Sequence, residues 1–239
     1  MKFLYFLLIS CFLFLSVNFS FAQKNDNISF EQQNKKNRYI SFSFGGGANY
    51  GENKSLKTYI EYELPFYNNL SQQDKLSQFA TGFELFGGAE FQLSRNLSLK
   101  GEYSYFIKSY NAPTYPNYDF SYYNHQPSVT LYYLIPQQYS FVKLGAGAGY
   151  LISGFTKKAF SSESSYKSTG FAFKLDAVLD IQMGNGFAGY IAGYINKTFQ
   201  GDLKDSDGNL LKNRNNENVD LSSLGLGIRL GFEIFLFNK

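Results

Sequence analysis

The chain has 239 residues, 44% of them apolar, 19% aromatic and 17% charged, with a formal net charge of +3 and a mean hydropathy of -0.26. These values exclude a polytopic helical membrane protein, and the aromatic content excludes a disordered chain. The small charge lacks the basic stripe of a nucleic-acid binder, so no nucleic-acid partner is expected. The outlying figures are 20 Tyr, 26 Phe and 22 Gly beside a single His, and aromatics at this density favour strands over helices.

Residues 1–22 open with Met1 and Lys2, continue through an apolar run from Phe3 to Val17 and end on the small residues Ser20 and Ala22. This order predicts a secretory signal peptide cleaved after Ala22. Cys11 is followed by more apolar residues rather than a polar tether, which argues against a lipidated cysteine. Cleavage removes the only cysteine, so the mature chain would rely on hydrogen-bonded closure and packing rather than disulfides. Residues 23–38 are rich in Asn, Gln and Lys and are expected to form a polar N-terminal periplasmic tail.

From Tyr39 onward the hydropathy period is two. Ile40, Phe42, Phe44 and Ala48 alternate with Ser41, Ser43, Gly45 and Asn49. The pattern returns at 81–93, 97–108, 128–135, 140–152, 170–183, 187–199 and 222–236. The segment 170–183 shows it most plainly, with Phe171, Phe173, Leu175, Ala177, Leu179, Ile181 and Met183 on one face and Lys174, Asp176, Asp180 and Gln182 on the other. Only 187–199 leaves its facing open, because Phe187, Ile191 and Ile195 compete with Tyr190 and Tyr194.

Eight such strands, each long enough to cross a tilted bilayer span of about 9–11 residues, predict an all-β, eight-stranded antiparallel up-and-down transmembrane β-barrel over residues 39–237. A β-sandwich also alternates, but here the charged face carries many of the glycines, as a narrow barrel interior requires. Connections alternate in length: long at 51–80, 109–127, 153–169 and 200–221, short at 94–96, 136–138 and 184–186. In lipid, closure also removes unpaired strand edges.

On these segments the chain resembles the small eight-stranded outer-membrane barrels, the OmpA transmembrane domain and OmpX group, over roughly residues 39–237. Phe235-Leu236-Phe237 is similar to the aromatic C-terminal signal by which the barrel assembly machinery recognises such proteins. The resemblance implies a bacterial outer-membrane location, extracellular loops, periplasmic termini, a monomeric state, and contact with outer-membrane lipid and lipopolysaccharide.

A barrel of eight strands is filled by its own side chains, so an open pore is not expected. The inward phase collects Glu84, Glu90, Glu102, Asp176, Asp180 and Glu233 with Lys100, Lys143, Lys174 and Arg229, which predicts an internal charge network. His125 and Ser128 are three apart and fall on opposite faces of a regular strand, which weighs against the His/Ser arrangement of lipid A deacylases built on this architecture. The run Asp205-Ser206-Asp207-Gly208-Asn209 starts like a calcium loop, but the twelfth position is Asn216, so a polar turn is expected. No catalytic residue, metal-ligand set or cofactor is assigned. Tyr110, Tyr115, Tyr118, Phe120, Tyr122 and Tyr123 lie in the expected 109–127 loop, placed either to contact a surface glycan or protein ligand or to pack on themselves. The alternating run 59–66 is expected to extend a hairpin above the membrane. The functional expectation is a structural or surface-interaction barrel that is not an enzyme, with a loop-mediated adhesin and a lipid A-modifying enzyme as rivals.

Overall fold

The computed structural model describes residues 39–64, 67–71, 79–112, 117–137, 140–160, 162–184 and 186–237. The expected signal peptide and polar tail, and Tyr115, lie outside the described residues. Eight strands form the wall: β1 (Tyr39–Glu52), β2 (Thr81–Ser94), β3 (Leu97–Ala112), β4 (Tyr118–Pro136), β5 (Ser140–Ala159), β6 (Ser162–Gly184), β7 (Phe187–Gln200) and β8 (Ser223–Phe237). Each pairs antiparallel with its sequence neighbours, and β1 closes on β8 with Phe44 opposite Phe232 and Gly47 opposite Arg229.

Alternation sets the facing of each strand. On β6, Phe171, Phe173 and Leu175 are about 60% exposed, whereas Ala172, Lys174 and Asp180 are buried. Repeated around the ring, this gives a continuous outward belt of Phe, Leu, Ile and Tyr far larger than any apolar patch a water-soluble monomer exposes. Among the described residues no helix is long and apolar enough to cross a membrane. The open question on β7 is resolved by the interior: Tyr190 and Tyr194 are buried and Ile191 and Ile195 face outward.

Two glycine positions are demanded by geometry. Gly45 and Gly231 face each other across the closing seam, and a Cβ on Gly45 would lie 2.6 Å from the Gly231 Cα and 2.9 Å from the Phe86 ring. Gly186 turns the chain between β6 and β7 at φ 74°, a left-handed conformation, and its carbonyl accepts from the Phe235 N–H at 2.7 Å.

Two expectations need correction. Over their described residues the 109–127 and 153–169 segments are almost entirely strand rather than loop: β3 runs to Ala112, β4 starts at Tyr118, and β5 and β6 pair from Ala159 and Ser162 inward. Their outward positions beyond the belt, such as Ser109, Asn111, Asp119 and Ser121, meet water, so the hydropathy signal fades while the hydrogen-bonded ladder continues. The 59–66 run does not extend a hairpin either. Helix α1 (Lys54–Glu63) occupies most of it, capped by Asn53, whose Oδ1 accepts from the Leu56 N–H at 2.7 Å. Leu56, Tyr59 and Ile60 share one helical face and are buried against the barrel mouth, which outweighs the local alternation.

Packing divides into two clusters. At the end where the chain enters and leaves, Tyr39, Phe141, Phe235 and Leu134 fill the lumen. At the opposite end, α1 joins Phe79, Phe120, Phe155, Leu203, Val219 and Leu221 in an apolar cap. Residues 202–220 complete that cap through short bridges such as Asp202 with Asp220 and Lys204 with Leu210.

Candidate functional site

Between the two clusters lies the charge network. All ten residues assigned to it from the sequence are buried in the lumen, brought there by the inward phase of β2, β3, β5, β6 and β8. They form two tiers. In the tier near the chain ends, Lys143 Nζ lies 2.9 Å from Glu90, 2.7 Å from Asp180 and 3.0 Å from Glu233, so one cation serves three carboxylates. Tyr39 donates to Glu90 at 2.8 Å and Ser41 to Glu233 at 2.5 Å. In the other tier Glu102 is the hub. Lys100, Lys174 and Arg229 each approach it at 2.8 Å, and Arg229 also donates to Glu84 and, at 3.3 Å, to Ser104. Lys174 reaches Asp176 at 3.2 Å.

The sequence reading did not include the tyrosines of this network. Tyr132 donates to Asp176 and Tyr194 to Glu84, both at 2.7 Å, and Lys100 sits 4.7 Å from the Tyr190 ring centre. The Arg229 guanidinium lies 4.4 Å from the Tyr194 ring centre and 5.1 Å from that of Phe86. The available signal was their phase: Tyr132 shares that of Ser128 and Thr130, and Tyr190 and Tyr194 share that of Asn196 and Thr198. Phenols and rings supply what buried charges need beyond one opposite charge: further hydrogen bonds and a polarisable wall. The lumen is therefore occupied by interlocked side chains from end to end of the network.

Above it, between the network and the apolar cap, lies a cavity of about 160 Å³. Tyr194 and Phe106 form its floor, α1 and Phe79 its roof, and Asn49, Lys108, Asn124 and Asn196 its walls. Glu52 and Lys57, paired at 3.0 Å and half-exposed, stand at its rim. Elsewhere on α1, within the apolar cap, burial pushes the Tyr59 phenol well above its ordinary range, so it stays neutral.

The remaining candidates are placed as follows. Tyr110 and Phe120 are buried strand residues; Phe120 stacks on Phe155 at 6.1 Å, and Tyr59 meets Phe155 edge-on. Tyr118 packs partly against that cluster, and Tyr122 turns inward toward Ser153 and Gln200. Tyr123 meets the edge of His125 at 5.5 Å. Of the two placements expected for these aromatics the described ones take the packed one, and only the loop is corrected: their backbone is ladder and most of their rings pack inward. His125 stacks on Tyr105 at 4.7 Å and is hydrogen-bonded to Tyr103, whereas Ser128 is buried in the lumen. Asp205 closes a turn on itself, accepting from the N–H groups of Asp207 and Asn209 at 2.9 and 2.8 Å. Among the described residues no three His, Cys, Asp or Glu side chains are grouped to hold a metal ion.

No protein-family model matches the chain, and no curated protein matches it. Solved structures do. A major outer membrane protein from Thermus thermophilus aligns with a TM-score of 0.51 at 13% identity, over 82% of this chain and 99% of that one. Neisserial surface protein A gives 0.47 at 12% identity, over 82% and 96%. The attachment invasion locus protein of Yersinia pestis, solved with the heparin analogue sucrose octasulfate, gives 0.49 at 13% identity, over 84% and 99%. With the ring closure described above, the chain has the fold of the small outer-membrane β-barrels.

Proposed function

We propose that this protein is an outer-membrane β-barrel of structural or surface-interaction type that does not act as an open pore and is not an enzyme. The observation that carries the reading is the lumen. Ten charges from five strands lock to one another and to tyrosines across it, with apolar clusters at both ends. Ion passage would require these pairs to part, and each parted member would be a buried charge without a partner. In this reading the end carrying Tyr39 and Phe237 faces the periplasm and the α1 cap faces outward. The partners are outer-membrane lipid, lipopolysaccharide and, during insertion, the barrel assembly machinery. The barrel works as a monomer, because the ring leaves no strand edge to pair.

Planar-bilayer recording of the purified protein tests this. The reading expects no steady conductance; a stable channel in the folded protein would overturn it.

A surface-binding role rests on a separate observation. The β5–β6 hairpin carries Phe160 at its tip, 74% exposed and at φ 53°. Shortening that tip while retaining the barrel should abolish binding to a surface glycan or protein ligand if the role exists, and leave folding unchanged. The lipid A-modifying reading is disfavoured, since the His125 ring is engaged by three tyrosines and Ser128 faces the other side of the wall.

A further inference from the structure

The two tiers of the charge network differ in their balance. Around Glu102, the carboxylates of Glu84, Glu102 and Asp176 meet the cations Lys100, Lys174 and Arg229, three against three. Near the chain ends, Glu90, Asp180 and Glu233 surround Lys143 alone, three against one. All four of these side chains are buried, so bulk water does not offset the difference.

The three carboxyl groups are not equally served. Glu90 accepts from Tyr39 at 2.8 Å and from Lys143 at 2.9 Å, and faces Lys100 across the β2–β3 pair. Glu233 accepts from Ser41 at 2.5 Å and from Lys143 at both of its oxygens, each 3.0 Å away. Asp180 receives no such bonds. Lys143 Nζ lies 2.7 Å from its Oδ2, but in a geometry that makes no hydrogen bond, and both Asp180 oxygens are buried without a donor. Its register neighbours are Phe141 on β5 and Tyr190 on β7, whose hydroxyl accepts from Lys100 at 3.4 Å. On its own strand face Asp176 is taken by Tyr132 and Lys174. What Asp180 does meet at hydrogen-bonding range is the carboxyl of Glu233. Two carboxylates are both acceptors and repel, whereas one proton between them turns the contact into a bond.

We propose that the lumen holds a bound proton in this tier: Asp180 is a neutral acid whose O–H donates to Glu233. The proton gives Asp180 the bond it otherwise lacks and leaves two carboxylates on Lys143. Of the ten groups that lock the lumen, one thus locks it without charge and exchanges its proton with pH. Release of that proton restores three carboxylates on one ammonium and loosens the end of the barrel where the chain enters and leaves. The inference rests on the reading of the lumen as closed, because water in an open lumen would hydrate an ionised Asp180.

Infrared spectra of the vesicle-inserted protein at neutral pH test the proposal. The C=O stretch of a protonated carboxyl stands apart from the carboxylate and amide bands and shifts on exchange into heavy water. The wild-type protein is expected to show it and Asp180→Asn to lose it. The pH dependence of unfolding gives a second readout. A folded state that binds one more proton than the unfolded chain loses stability as pH rises. The wild-type urea midpoint should therefore fall by roughly 0.7 M per pH unit from about pH 6 up to the pH at which Asp180 ionises. Asp180→Asn, neutral at every pH, should match the wild-type midpoint at neutral pH and lack this fall. The gel mobility of unboiled samples verifies folding, and if the Asn variant does not fold, the wild-type band and midpoint trend decide. Absence of the band from a non-conducting wild-type barrel, or its full retention in folded Asp180→Asn, would overturn the proton assignment. A conducting barrel without the band would overturn the closed-lumen reading and the proton with it.

Discussion

Arg229→Ala strikes the network at the point where its consequences can be worked out partner by partner. The guanidinium is buried, donates to Glu84, Glu102 and Ser104, and lies against the Tyr194 ring. After its removal Glu102 keeps Lys100 and Lys174, but Glu84 retains only the Tyr194 hydroxyl. The loss is therefore concentrated on one stranded carboxylate. Breaking one member of a buried pair costs about 3–5 kcal/mol. At a urea dependence of about 2 kcal/mol per M, this moves the unfolding midpoint down by roughly 2 M. Adding Glu84→Gln removes the stranded charge and should recover about half of that shift, because the two residues act through one contact. The chain has no Trp, so unfolding of the vesicle-inserted protein is best followed by the gel mobility of unboiled samples across a urea series, with bilayer conductance measured in parallel. A shift below about 0.5 M for Arg229→Ala, or no recovery on adding Glu84→Gln, would refute the argument that pairing of buried charge holds the lumen shut.

Three further perturbations address the seam, the cap and the lipid face. Gly45→Val places side-chain atoms against the backbone of β8, so closure of the ring should fail or cost at least about 1–3 kcal/mol, read as loss of the fast-migrating unboiled band. Ile60→Asp puts a charge on a fully buried position of α1; proteolysis between residues 53 and 80 should accelerate while the barrel band persists, and unchanged proteolysis would show that the helix does not need its apolar face. Leu175→Arg on the outward face of β6 should destabilise the bilayer-inserted protein by about 2–4 kcal/mol, and a neutral effect would mean that this position does not meet lipid.

Strand identity, the facing of every strand but β7 and the set of interior charges were legible in the sequence because a lipid belt enforces strict alternation. Leu175 and Asp176 are neighbours sorted to opposite sides by the pleat, and no tertiary detail is needed to sort them. The same reliance on lipid explains where the reading stopped. Beyond the belt Asp119 and Ser121 face water while Phe120 packs inward, so a ladder there looks like a polar loop. Helix α1 was hidden by a short coincidence of alternation in the run 59–66, and its real signals were the Asn53 cap and the three- and four-residue spacing of Leu56, Tyr59 and Ile60. The pairing within the network depends on strand stagger, which places Arg229 beside Glu102 although they are 127 residues apart. The cavity at Lys108 depends on the roof that α1 provides, and was illegible for the same reason that α1 was.

The central claim is a closed barrel with a lipid-facing outer wall and a packed interior. It is tested most directly by spin labels on single cysteines along β6 in vesicles. Residues 23–239 contain no native cysteine, so labels at Phe173, Leu175 and Leu179 can be compared with labels at Ala172 and Val178 without background. The account predicts strong collision with apolar oxygen and little with a water-soluble nickel complex at the first three positions, and little of either at the other two, which are buried. Equal access of the nickel complex to the first three positions would place that face in water and contradict the account.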